Sequence, residues 1–146
     1  MLKTRNAMTT SSAEDKSYVI VQKAIKLFDW STIKRVHIYK ALNGSNEVDS
    51  SHFIDYLQAN WPNIKLEIGE PVAGATLPKT KFDLIIVPLV AFDRHNNRLG
   101  RGNGWYDRFL QTQSHAMKLG LAYEFQRVSL LPIEPHDQPL DQVISA

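Results

Sequence analysis

The residues best suited to chemistry lie together in Arg98-Leu99-Gly100-Arg101-Gly102-Asn103-Gly104-Trp105-Tyr106-Asp107-Arg108, where three glycines alternate ahead of a predicted helix. Glycine bends through positive φ and has no side chain to obstruct a ligand, so successive N–H groups can point into one concave site. The first turn of a following helix adds unpartnered N–H donors and the positive end of its dipole, both favourable to phosphate. Arg98, Arg101 and Arg108 flank the loop, and a guanidinium offers two donors in a fixed fork that suits phosphate oxygens. These are parts for holding a polyphosphate. The loop lacks the Gly-Lys-Ser/Thr ending of a Walker A motif, and its spacing is not that of a dinucleotide fingerprint set directly after a strand. Spacing alone is equally compatible with a surface turn whose arginines are solvated.

The elements around this loop must bring it to the rest of a site. Ser11 and Glu14 have the spacing of a capping box, and Tyr18, Val21, Ile25 and Phe28 recur at helical intervals, predicting an amphipathic helix to about Asp29 that faces a sheet. Val36 and Ile38 alternate with polar neighbours in Arg35 to Tyr39, a short strand, and Asn43-Gly44-Ser45-Asn46 is a turn-rich loop with Glu47 just beyond. Phe53, Ile54 and Leu57 mark a second helix interrupted at Pro62, residues 64–68 alternate as a strand, and residues 71–79 connect onward. Leu84-Ile85-Ile86-Val87, bounded by Asp83 and Pro88, has the continuous apolar character of a strand buried on both faces of a parallel sheet. A polar connection from Asp93 to Gly104, a helix from Trp105 to Gln113, and strands at residues 119–123 and at Val143-Ile144 complete the order. Helices alternating with short apolar strands point to an α/β layered fold, in which ligands gather at the carboxyl ends of the strands.

Composition narrows the function. At 146 residues the chain suits a single domain spanning residues 1–146, with 43% hydrophobic and 22% charged residues, as in ordinary globular proteins. The formal charge of +2 and the lack of a basic stripe interleaved with aromatics argue against nucleic acid as a partner. With no cysteine there is no disulfide, thiolate metal site or cysteine nucleophile. Residues 1–8 carry Lys3 and Arg5 but no apolar stretch like that of a signal peptide, and no run is long enough to span a bilayer, so the expected location is cytoplasmic, with no membrane partner.

Pro88-Leu89-Val90-Ala91-Phe92-Asp93, followed by Arg98-Leu99-Gly100, Gly102, Gly104 and Tyr106-Asp107-Arg108, resembles the signature of the 5-formyltetrahydrofolate cyclo-ligase family. That signature reads Pro-Gly-Val-Ala-Phe-Asp, then Arg-Leu-Gly-x-Gly-x-Gly-Tyr-Tyr-Asp-Arg. The resemblance extends more weakly through Gly120-Leu121-Ala122-Tyr123, Gln126 to Pro132, His136-Asp137 and Asp141-Gln142-Val143, and, upstream, Tyr39 with Glu47 and Ile68-Gly69-Glu70-Pro71. It implies a three-layer, Rossmann-like α/β sandwich with a mostly parallel sheet, and an ATP- and Mg2+-dependent conversion of 5-formyltetrahydrofolate to 5,10-methenyltetrahydrofolate by a monomer or homodimer. It further implies that Arg98, Leu99, Gly100, Arg101, Gly102, Asn103, Gly104, Trp105 and Tyr106 line the ATP, with Arg101 and Tyr106 catalytic. Asp107 and Asp137 would hold magnesium, and Glu47 and Trp105 would face the folate. Apart from the resemblance, Asp107 could pair with an arginine on its own helix, His136-Asp137 could form a turn, and Trp105 could belong to the core.

Departures are localised. Leu89 stands where the signature has glycine, Asn96 replaces a glycine between Asp93 and Arg98, and Trp105 replaces the first of the paired tyrosines. Asn tolerates left-handed backbone, and Trp keeps an aromatic face. The family's first helix carries a Lys and an Arg one turn apart, for which Lys3 and Arg5, two residues apart, are approximate substitutes, and its segment between the regions of Glu47 and Asp83 is longer. The alternative expectation is accordingly a nucleotide- or folate-binding protein with little or no turnover.

Overall fold

The computed structural model describes residues 10–41, 47–69, 76–100, 102 and 104–146. Lys3, Arg5, Glu70, Pro71, Arg101 and Asn103 therefore lie outside the described residues.

The first elements among the described residues are helix α1 (Thr10–Ile25), a short 3-10 turn at Trp30–Thr32 and strand β1 (Arg35–Tyr39). Helix α2 (Ser51–Asn60), β2 (Lys65–Gly69) and β3 (Leu84–Val87) follow, then β4 (Ala91–Phe92), β5 (Arg98–Leu99) and helix α3 (Trp105–Gln111). Strand β6 (Met117–Ala122), a 3-10 turn at Glu124–Gln126 and β7 (Gln142–Ser145) end it. Five strands form one sheet in the order β2-β1-β3-β6-β7, and every neighbouring pair is parallel. The α/β architecture expected from the sequence is thus the one observed.

Parallel pairing forces each connection to cross over the sheet, which puts helices on its faces and dries its centre. Leu84, Ile85, Ile86 and Val87 are completely buried, as their continuous apolar run predicts. Removing each such side chain from water contributes about 1.5–3 kcal/mol. Trp30 meets Phe53 of α2 edge to face, with ring centroids 5.7 Å apart, and its indole N–H donates to the Ile25 carbonyl at 3.0 Å, closing the corner between α1 and β1.

The structure corrects several local expectations. Helix α1 begins at Thr10, so Ser11 lies inside its first turn, and it stops at Ile25 rather than near Asp29. Its buried stripe is Ala13, Ser17, Ile20, Val21, Ala24 and Ile25, so Val21 and Ile25 face inward as expected, whereas Tyr18 faces outward. His37 and Tyr39, which alternation places among polar neighbours, are buried, because β1 lies inside the sheet and is covered on both faces. The stretch from Asp93 to Gly104 is no simple connection, since β4 and β5 pair as an antiparallel hairpin, Ala91 with Leu99 and Phe92 with Arg98. Among the described residues, no helix is long and apolar enough to cross a membrane.

Candidate active site

The hairpin delivers the glycine loop, and Asp93 holds the hairpin. Its carboxylate is fully buried and accepts from the N–H groups of His95 (2.9 Å), Asn97 (3.1 Å) and Leu131 (3.0 Å) and from Asn97 Nδ2 (3.2 Å). Burial pushes its pKa up, but these bonds outweigh it and hold the group below the usual carboxylate value. Asn96 sits at φ 61°, the left-handed geometry that asparagine tolerates where the signature has glycine. Its carbonyl accepts from Leu140 N at 2.8 Å and its Nδ2 donates to the Asp141 carbonyl at 3.2 Å. The hairpin is thereby tied to residues 131–141, which form another part of the site.

Arg98 turns inward from β5. Its side chain is only 4% exposed, with Nη2 3.7 Å from Asp107 Oδ1, Nη1 donating to the Pro88 carbonyl at 3.4 Å, and the guanidinium carbon 5.5 Å from the centre of the Tyr106 ring. Burial lowers its pKa while Asp107 opposes the shift, and a guanidinium stays cationic throughout the physiological range. A Cβ on Gly100 would lie 2.6 Å from Arg98 Nη1, so glycine at 100 is what lets the guanidinium fold back over the chain. Gly102 adopts φ 100°, with open space where a side chain would be. Arg98 Nε and Tyr106 Oη are buried without hydrogen-bond partners among the described residues. Burial raises the Tyr106 pKa, with Arg98 pulling the other way, so its hydroxyl stays protonated and able to donate.

These groups line a cavity of about 420 Å³ beyond the carboxyl ends of β1 and β3. Leu99, Gly104 and Asp107 share that lining with Arg98, Gly100, Gly102 and Tyr106. Tyr39, Lys40 and Glu47 add a second part, and Pro88, Leu89, Leu131 and Pro132 an apolar one. Leu89 finds room because Gly120 on β6 has no side chain, since a Cβ there would lie 2.8 Å from Leu89 Cδ2. Glu134, His136 and Asp137 complete the rim. Of the residues named from the sequence, the structure gathers Glu47, Arg98, Leu99, Gly100, Gly102, Gly104, Tyr106, Asp107 and Asp137 into this one space.

Trp105 stands apart. It is buried, does not line the cavity, and packs on Tyr106 (ring centroids 4.9 Å), Phe109 (5.0 Å) and His37 (6.1 Å). His37 is 2% exposed, its Nδ1 has no partner among the described residues, and burial lowers its pKa to about 4. No sequence pattern singled it out.

The two carboxylates carried as metal candidates both face the cavity. Asp107 Oδ1 accepts from Gln138 N at 3.4 Å, Asp137 Oδ2 accepts from Glu134 N at 2.8 Å, and His136 Nε2 is 3.5 Å from Asp137 Oδ1. Among the described residues, no three His, Cys, Asp or Glu side chains cluster as a ready-made metal site. One or two carboxylates completed by water and phosphate oxygens suit magnesium, which rarely occupies an all-protein cage.

The sequence model of the 5-formyltetrahydrofolate cyclo-ligase family matches residues 52–146. A 5-formyltetrahydrofolate cyclo-ligase of Escherichia coli strain K12 is 42% identical over 85 residues, 56% of this chain and 47% of that protein, so the match spans about half the length of that curated relative. The Mycoplasma pneumoniae 5-formyltetrahydrofolate cyclo-ligase is 31% identical over 156 residues, covering 99% of this chain and 93% of its own. The solved 5,10-methenyltetrahydrofolate synthetase structure from Mycoplasma pneumoniae superposes with a TM-score of 0.80 at 28% identity, over 98% of this chain and 92% of that one.

Proposed function

The chain belongs to the 5-formyltetrahydrofolate cyclo-ligase family, and from that premise we propose that it converts 5-formyltetrahydrofolate to 5,10-methenyltetrahydrofolate at the expense of ATP, with magnesium. One observation carries the extension from family to activity: a buried cation, Arg98, set over the Tyr106 ring, with its Nε and the Tyr106 hydroxyl both lacking a partner among the described residues, on a cavity bordered by glycine backbone. Buried polar atoms without partners are costly, and here the missing partners suit the oxygens of a phosphate.

In the proposed reaction the formyl oxygen of the folate attacks the γ-phosphorus of ATP, and ADP leaves. N10 then closes on the activated carbon, and phosphate departs with the former formyl oxygen. Phosphoryl transfer of this kind asks the protein for position and charge more than for a nucleophile. Arg98 and the backbone of Gly100, Gly102 and Gly104 hold the phosphates, Tyr106 donates to them, and Arg101 is proposed for the transferred group. Asp107 and Asp137 would hold magnesium, whose charge offsets that of the phosphates. Glu47 and the apolar lining of Leu89, Leu131 and Pro132 take the folate.

The test is the absorbance of the methenyl product, followed with ATP, magnesium and 5-formyltetrahydrofolate together and with each omitted. A rise that needs all three is expected. Calorimetric binding of ATP or of the folate with no methenyl product would establish instead a binding protein without turnover.

A further inference from the structure

Behind Glu47 lie polar groups to which the sequence reading gave no role. Tyr123, where the chain leaves β6, donates from Oη to the Glu47 carbonyl at 3.1 Å, and Ser17 Oγ, from the buried stripe of α1, lies 3.2 Å from the same Oη. The Asp49 N–H donates to Ser17 Oγ at 2.9 Å. A tyrosine hydroxyl has one hydrogen, and here it goes to Glu47, so Ser17 is the donor to Tyr123 and its lone pairs receive Asp49. The bonds therefore run from Asp49 to Ser17 to Tyr123 to Glu47, closing on a segment of three residues from an early helix and a late strand.

The same segment is fastened from β1, where Tyr39 Oη donates to the Val48 carbonyl at 2.6 Å and Ser50 Oγ donates to the Tyr39 carbonyl at 2.6 Å. Three residues after Tyr123, Gln126 Nε2 donates to the carbonyls of Leu89 (3.1 Å) and Val90 (3.0 Å), while its Oε1 accepts from Tyr123 N at 2.7 Å. One turn after β6 thus anchors two parts of the cavity lining, that of Glu47 and that of Leu89.

We propose that Tyr123, acting with Ser17, is a positioning residue for Glu47: the ring of hydrogen bonds fixes the Glu47 backbone and so aims its carboxylate into the cavity toward the folate. This rests on the assignment of Glu47 to the folate. A core needing only bulk would be filled at less risk by Phe and Ala, since buried hydroxyls are costly unless paired. Here the hydroxyls of Tyr39, Ser17 and Tyr123 converge on residues 47–49, the segment that brings Glu47 to the cavity.

The experiment is a double-mutant cycle on the full chain with Tyr123→Phe, Glu47→Gln and both together, which isolates coupling between the two positions. Tyr123→Phe removes the hydroxyl that donates to Glu47 and accepts from Ser17 and should raise KM for 5-formyltetrahydrofolate about five- to tenfold, leaving KM for ATP within about twofold. On the Glu47→Gln background the same change should add less than about twofold, because the group being positioned is already altered. An equal rise in KM for ATP, or an undiminished effect on the Glu47→Gln background, would overturn the proposal. A second measurement needs no substrate: amide hydrogen exchange at Asp49 should quicken about five- to tenfold in Tyr123→Phe and in Ser17→Ala, with the amides of β3 unchanged. Unchanged exchange at Asp49 would overturn the proposal even if turnover fell. Accelerated exchange in a protein that never acts on 5-formyltetrahydrofolate would leave the positioning intact and defeat only the assignment of the substrate.

Discussion

The two polar sides of the cavity satisfy their hydrogen bonds in opposite ways. On the glycine-loop side, Arg98 Nε and Tyr106 Oη are buried without partners among the described residues, and Gly102 shows bare backbone to open space. On the Glu47 side, Tyr39, Ser17, Ser50 and Tyr123 all have hydroxyls bonded within the protein, and they hold a backbone segment in place. The first side leaves binding capacity for a ligand to complete, whereas the second uses its capacity to fix geometry beforehand. Changes on the first should therefore weaken the phosphate ligand itself, and changes on the second should misplace a carboxylate while the fold survives.

The largest expected consequence comes from removing the buried cation. Arg98→Met keeps the bulk of the stem but removes the charge, and should lower kcat/KM for ATP on the order of a thousandfold, the scale of losing a charged group aimed at a transferring phosphoryl. Steady-state kinetics in both substrates would check it, and a comparable rise in KM for the folate would erase the distinction between the two sides. Next in size is the support beneath the glycine-loop side, where His37 packs under Trp105, Tyr106 and Phe109. Its pKa falls from 6.5 to about 4 through burial, so between those values the unfolded chain binds more protons than the folded one. The stability tied to His37 is complete above pH 6.5 and declines as pH drops toward 4, by about 3 kcal/mol in all. Urea unfolding at pH 7 and pH 4.5 would measure this, and His37→Phe should flatten that component.

The smallest effect on stability is the most discriminating. Tyr106→Phe deletes a hydroxyl that has no partner among the described residues, so it should leave the free protein as stable as before or more stable by up to about 1 kcal/mol, while ATP-dependent turnover falls. Destabilisation of the ligand-free protein would mean that the hydroxyl already has a structural role, and the two sides would then be alike.

Features whose cause is local could be read from the sequence. The run Leu84 to Val87 is buried on both faces because no other placement suits four consecutive large apolar residues, and the alternating glycines lie on the cavity as their open backbone suggests. Asn96 takes the left-handed geometry that its side chain tolerates. What escaped the sequence depends on distant partners. Asp93 looks like a surface turn residue until Leu131 donates to it across 38 positions, and His37 looks like the polar half of an alternating strand until α3 covers it. Ser17 breaks an otherwise apolar stripe, which was the available signal, but its meaning needs Tyr123 and Asp49. Trp105 satisfies the aromatic position of the signature while its ring lies in the core, a distinction that motif spacing does not carry.

The ring through Ser17 and Tyr123 joins positions 106 residues apart. A ribosome delivers the helix that carries Ser17 long before the strand that leads to Tyr123. Until β6 emerges, the apolar stripe of α1, with Ile20, Val21 and Ala24, has no complete sheet to cover, and an uncovered stripe of that kind is a surface for chaperones or for aggregation. Closure of the ring therefore reports that synthesis has passed the sheet's interior strands, and Asp49 protection, followed during refolding, would mark when the earliest and latest parts of the chain have met.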